Sequence, residues 1–164
     1  MATDYAGLKA EIQNFLDNDN PNLVAAIPTF ISDAEVWLGR NLHVRDMECV
    51  TPTPLVPAGV TEDTIGIYDL PSDWGGSKSI TINGDNLILH YWRKIPALSD
   101  SNTTNWLLTD APDVYLYGSL MQSAPYLAHD ERLAVWAGLY TQATTSLQRS
   151  SENAKWGANL RLRP

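Results

Sequence analysis

Carboxylates are the residues this chain offers most freely for chemistry. Glu11 with Asp17 or Asp19 has the makings of a glycosidase pair, in which one carboxyl protonates the leaving oxygen and the other attacks or activates water. Two features weigh against it. Glu11 falls inside a helical pattern, and Asp17-Asn-Asp-Asn20 reads as the polar stop of that helix. A hydrolase of cell wall also approaches an anionic polymer, which an acidic body repels. Cys49 is a poor nucleophile candidate, because thiol activation needs positive neighbours and Asp46 and Glu48 are negative. His43, His90 and His129 lack metal-ligand spacing, and a single cysteine does not build a zinc site by itself. Neither a Gly-x-Ser-x-Gly elbow nor a glycine-rich phosphate loop with its lysine occurs. The residues therefore give no reason to expect a catalytic residue, metal or cofactor beyond the Glu11–Asp19 alternative.

The six tryptophans are Trp37, Trp74, Trp92, Trp106, Trp136 and Trp156. Indoles stack on single-stranded nucleic acid only where a cationic groove surrounds them. Here most stand beside acids or on apolar stripes, which suits a core or a protein interface. The charge distribution agrees. Residues 1–148 carry 7 lysines and arginines against 18 acids, a net of −11, whereas residues 149–164 carry 4 against 1, a net of +3. An acidic body has no broad footprint for phosphates. A short cationic terminus suggests a segment that docks elsewhere.

The chain has 164 residues, 44% hydrophobic and 18% charged, enough for one domain or one domain plus an arm. No run of eighteen apolar residues offers a membrane span. Met1-Ala-Thr-Asp4 lacks the features of a secretory leader, and the lone Cys49 fits a reducing compartment.

Periodicity supplies the elements. A first helix is expected over 4–17, capped by Thr3 or Asp4, with Tyr5, Leu8, Ile12, Phe15 and Leu16 on one face. A second is expected over 23–42, with Ile27, Phe30, Ile31, Ala34, Trp37, Leu38 and Leu42 as its stripe and Asp33, Glu35 and Arg40 on its charged face. Pro28 disfavours a helix interior, so regular winding is expected to begin near it. Residues 44–60 hold three prolines and read as edge strand, and 64–68 as a short strand. Ser79–Ile82 and Leu87–Trp92 flank Asn83-Gly84-Asp85-Asn86, which predicts a β-hairpin. Trp106-Leu-Leu108 reads as an apolar anchor ending a loop. A third helix is expected over 111–127, started by Thr109-Asp-Ala-Pro-Asp113. Its apolar character on nearly every side suggests cover from a neighbouring subunit. A fourth helix is expected over 130–148, striped by Leu133, Trp136, Ala137, Tyr140, Ala143, Thr144 and Leu147. After it comes an aperiodic arm bearing Lys155, Trp156, Leu160, Arg161, Leu162 and Arg163. The fold class is α+β, mainly α: four helices, a small antiparallel β insertion at about 44–95 between the second and third, and an extended C-terminal arm.

One long pattern resembles a known family. Tyr91-Trp-Arg-Lys-Ile-Pro-Ala-Leu-Ser-Asp100, Asn105-Trp-Leu-Leu108, Ala111-Pro-Asp113, Tyr115-Leu-Tyr-Gly118, Ala124-Pro-Tyr-Leu127 and Asp130-Glu-Arg-Leu133 resemble the head–tail adaptor, or connector, proteins of tailed bacteriophages. Tyr5-Ala-Gly-Leu8, Ile27-Pro-Thr-Phe30 and Arg45-Asp-Met-Glu48 are similar too. Many such proteins have a longer central β region. The resemblance implies an adaptor domain over 1–148 and a docking arm over 149–164. It implies a structural virion protein, made in the bacterial host cytoplasm and placed at the head–tail junction. Such proteins form a ring, commonly of twelve copies, under the portal protein. Double-stranded DNA passes through without sequence-specific binding, and the far end receives a tail, stopper or nozzle protein. On this reading the arm residues Lys155, Trp156, Leu160, Arg161, Leu162 and Arg163 meet the portal. Trp106, Leu107, Tyr115, Tyr117, Met121, Trp136 and Tyr140 are the candidates for core or subunit interface. The alternatives are a virion-associated peptidoglycan hydrolase using Glu11 and Asp19, or a generic protein-binding adaptor.

Overall fold

The computed structural model describes residues 2–54, 70–83, 86–127 and 131–158. The chain divides into two compact units, Met1–Leu42 with Ile95–Pro164, and His43–Lys94. It is mainly helical, with a small sheet between the second and third helices, as the pattern predicts.

In the helical unit, α1 spans Tyr5–Leu16. Asp4 caps it by accepting the Gly7 N–H at 2.7 Å, and Tyr5, Leu8, Ile12 and Leu16 are its buried stripe. Asp17 ends it in the left-handed region, at φ 49° and ψ 43°. Helix α2 spans Pro21–Asn41. Its start near Pro28 is a misreading. Asn20 caps the Asn22 N–H, Pro21 fills the first turn, and Leu23, Ala26 and Ile27 are buried ahead of Pro28. Pro28 itself is exposed, so its ring meets solvent while packing on the opposite face carries the helix past it.

The third expected helix is also corrected, because two prolines divide it. Asn105 caps α3, Trp106–Asp110, and α4 follows at Pro112–Gln122. Ala111 between them sits at φ −143° and ψ 66°, since the residue before a proline is driven out of helical geometry. On the other side α4 ends at Gln122, and Ala124–Tyr126, with Pro125 in its first turn, forms a 3-10 turn. Helix α5 spans Arg132–Ala158 and does not stop at 148. No proline interrupts Arg149–Ala158, so the stretch expected as an extended arm is wound into this helix. Among the described residues the unit therefore has five α-helices rather than four. Residues 128–130 and 159–164 lie outside the described residues.

The expected lack of cover over the third helix is overturned for most of α4, while Tyr117 and Met121 are half-buried and Tyr126 is exposed. Val114, Tyr115, Leu116, Gly118, Ser119 and Leu120 of α4 are all buried within the single chain. Helix α4 touches α1, α2, α3 and α5, so it is the hub of the unit. Four amphipathic neighbours wrap one apolar helix, which a periodicity count along the chain does not register.

The second unit is an antiparallel sheet in the order β1-β3-β2, with β1 Glu48–Pro54, β2 Trp74–Asn83 and β3 Asn86–Arg93. Asn83 pairs with Asn86, so the expected hairpin is present and begins earlier, at Trp74. The edge strand β1 carries Pro52 and Pro54. A register shift lies between Trp74 and Gly76, and a Cβ on Gly75 would stand 2.9 Å from the Trp92 carbonyl oxygen. The strand expected at 64–68 lies outside the described residues.

Candidate interaction surfaces

The helical unit is organised by a polar network. Asn105 Oδ1 accepts the Leu108 N–H at 2.9 Å, and its amide donates to the Pro96 carbonyl and the Tyr115 hydroxyl, each at 2.7 Å. The Tyr115 hydroxyl donates to Glu35 Oε1 at 3.0 Å, which also accepts the Leu98 N–H at 2.8 Å. The chain returning from the sheet is thus tied to α2 and α4. Burial pushes the Glu35 carboxyl above its usual range, while the hydrogen bonds from Leu98 and Tyr115 pull it back in part. Burial, with the Glu35 charge beside it, pushes the Tyr115 phenol far up. Glu35, expected on a charged face, is therefore half-buried and structural. A phenol inside an otherwise apolar helix needs a partner, and that need was the signal for it.

Arg132 closes the other end of the unit. Its guanidinium donates to the Phe15 and Leu16 carbonyls at 3.1 and 3.3 Å, at the negative end of α1. It also lies 5.2 Å from the Trp136 ring.

The interface candidates divide by burial. Leu107, Tyr115, Trp136 and Tyr140 are core. Trp106, Tyr117 and Met121 are half-buried. The Trp106 indole N–H is enclosed yet meets no acceptor among the described residues. The structure brings Met121 and Tyr140 together with Trp37, Gly118 and Thr144 in one groove of about 240 Å³. Tyr117 lies on a second groove of about 270 Å³ with Asp113, Leu139, Gln142, Ala143 and Ser146. Tyr117 also meets Phe15 edge-on at 6.5 Å. Apolar surface left in solvent includes Trp37 at 43% and Val36 at 48% exposure on α2, Val135 at 61% and Leu139 at 36% on α5, and Phe15 at 40% on α1. Phe15 and Trp37 were expected inside their stripes. Each lies at a stripe's edge, where a large ring is only partly covered.

Of the arm residues, Lys155 and Trp156 fall on the last turns of α5, and Leu160, Arg161, Leu162 and Arg163 lie outside the described residues. The two acids of the hydrolase alternative have local roles. Glu11 Oε2 accepts the Ala2 N–H at 2.7 Å, and Asp19 accepts from the Gln13 amide at 3.3 Å on the exposed turn after α1. Among the described residues no His, Cys, Asp and Glu cluster suited to a metal occurs, and no helix is long and apolar enough to cross a membrane.

Comparison with known proteins decides the family. Residues 81–163 match the family described as SU10 adaptor protein, a stretch that runs from β2 through α3, α4 and α5. The chain belongs to the SU10 adaptor family. This is a family of phage head–tail adaptors, so the resemblance in the sequence is upheld. No curated protein matches the chain. The SU10 adaptor family makes the chain a structural component of a phage virion that meets other head or tail proteins. The matched stretch contains Asn105, Tyr115, the whole groove at Tyr117 and the α4 and α5 walls of the groove at Trp37, and it reaches the cationic C-terminus.

Proposed function

We infer that this SU10 adaptor assembles as a ring of twelve copies beneath the portal protein. The ring extends the channel through which double-stranded DNA passes, and its far side receives the next tail, stopper or nozzle component. The family match over 81–163 carries this reading. Two further features support it. The net charge of −11 on residues 1–148 suits a conduit, since summed carboxylates hold phosphates off a wall within about 8–10 Å at physiological salt. The net charge of +3 on residues 149–164, with Trp156, Leu160 and Leu162 among the cations, suits a terminus that docks on the portal. Because α5 is wound to Ala158, this docking segment begins as a helix end rather than as extended chain. Lys155, Trp156, Leu160, Arg161, Leu162 and Arg163 remain its contact candidates.

The test is electron microscopy of the purified chain mixed with the portal of its own phage. An added ring of density is expected, and its absence at saturating chain overturns the reading. Removing residues 159–164, which leaves α5 whole, is expected to abolish attachment while the helical signal in circular dichroism persists. Attachment of the shortened chain removes the docking role from the terminus.

A further inference from the structure

A closed ring joins unlike surfaces, since each copy presents one patch to the left neighbour and a different one to the right. The helical unit carries two such patches, and both flank the seam between α4 and α5. On one side, Tyr140, Thr141 and Thr144 of α5 line the groove that includes Trp37. On the other, Leu139, Gln142, Ala143 and Ser146 line the groove that includes Asp113 and Tyr117. At 100° per residue these two sets fall on opposite flanks of α5. Both patches are hollows of similar size, and they differ at their rims. Trp37 is 43% exposed on the rim of the first, with Val36 beside it, and the Tyr140 ring meets it edge-on at 5.3 Å. It is an indole held in place before any partner arrives, the kind of anchor on which interfaces depend. The opposite patch is an open hollow of about 270 Å³ with Leu139 on its wall.

Charge gives the pairing a direction. Arg40 lies three residues beyond Trp37 on the same outward face of α2 and makes no ion pair among the described residues. Asp113 lies on the hollow and likewise makes no ion pair among them. Asp33 sits at the other end of the same α2 face, so only one orientation of α2 along the hollow brings Arg40 to Asp113 and keeps Asp33 away from it.

We propose that the occupant of the Asp113–Tyr117–Leu139 hollow is a second copy of this chain, which inserts Trp37 and places Arg40 against Asp113. The proposal rests on the ring reading and names its seam. It makes the contact heterologous, so it propagates from copy to copy rather than closing as a symmetric pair.

The test uses the full chain with Cys49→Ser as background. Val36→Cys, which keeps the Trp37 anchor, and Leu139→Cys variants are made separately, mixed in equal amounts on the portal and oxidised, then run on a non-reducing gel. A cross-linked dimer is expected in the mixture and in neither variant alone, and a chain bearing both changes is expected to give a ladder. Charge reversal provides a second line with no core residue touched. Arg40→Glu or Asp113→Lys alone is expected to lower cross-link yield about fivefold, and the two together to restore it. A Val36→Cys dimer formed without its partner variant overturns the proposal, because it marks a self-complementary contact. Absence of the mixed cross-link while microscopy shows a ring on the portal overturns the seam and leaves the ring standing. Absence of any ring overturns both.

Discussion

The Tyr115 hydroxyl donates to Glu35 Oε1 over 3.0 Å, joining the centre of α4 to the middle of α2 across 80 positions of sequence. The same oxygen holds the Leu98 N–H, so one acceptor fixes both the packing of two helices and the path of the chain returning from the sheet. Glu35→Ala leaves both donors without their acceptor and is expected to cost about 1–3 kcal/mol in chemical denaturation. Glu35→Gln keeps an oxygen in place and is expected to stay close to the parent at acidic pH, where the Glu35 carboxyl is protonated in both states.

The same pair predicts a pH dependence. Burial holds the Glu35 carboxyl above its ordinary value, so the folded chain keeps this proton where the unfolded chain has released it. The stability it contributes is full below the ordinary carboxylate value and is lost as pH rises through the elevated folded value. The parent is therefore expected to lose stability relative to Glu35→Gln as pH rises from about 4 to about 8. Urea midpoints of the two proteins across that range measure it, and parallel curves contradict it.

Asn105 spends every polar atom of its side chain on structure, capping α3 and donating to Pro96 and Tyr115. Asn105→Ala is expected to cost about 2–4 kcal/mol. Asn105→Asp keeps the cap and loses both donations, so it is expected to recover only part of that loss. An Asn105→Asp chain as stable as the parent means the donations contribute nothing.

Much of this was legible and some was not, for reasons that differ by residue. Helix α1, the β2–β3 hairpin and the insertion between α2 and α3 follow from local chemistry: the Asp4 cap, the Asn83–Asn86 turn residues, and prolines at Pro52 and Pro54. The start of α2 was missed because a proline's local penalty was weighed above the burial of Leu23, Ala26 and Ile27 upstream. The hub role of α4 was missed because cover is a property of neighbours, and periodicity sees only one helix at a time. The grooves beside α5 unite residues from α2, α4 and α5, and no spacing rule along the chain joins Trp37 to Tyr140.

Asp17 holds left-handed geometry at the end of α1 and pays the steric cost of a Cβ there. Asp17→Gly is expected to raise stability by about 0.5–1 kcal/mol. A higher thermal midpoint is the readout, and a lower one would assign the Asp17 side chain a contact worth more than its strain.

Ser119 offers the opposite kind of gain. Its hydroxyl is fully enclosed in α4 and meets no partner among the described residues. Ser119→Ala removes an unsatisfied polar atom and improves helix propensity, so it is expected to stabilise by about 1 kcal/mol. A loss of that size instead would place an acceptor or an ordered water at the hydroxyl.

At Gly118 helix α4 comes close to both α2 and α5. A Cβ there would stand 3.1 Å from Tyr140 Cε2 and 3.5 Å from the Ala34 Cβ. Gly118→Ala asks the Tyr140 ring to give by a few tenths of an ångström, and the gain in helix propensity of about 1 kcal/mol offsets that, so the change is expected to be near neutral. Gly118→Val adds two methyl groups against the same ring and is expected to cost about 1–3 kcal/mol. The strain has one outlet, since the Tyr140 ring is also the support of Trp37. Gly118→Val is therefore expected to weaken ring formation on the portal beyond its loss of stability, whereas a valine of the same cost at Ala26, remote in sequence from the groove, leaves assembly in step with the folded fraction. Equal behaviour of the two valine variants in the assembly assay means that Tyr140 packs the core without positioning Trp37.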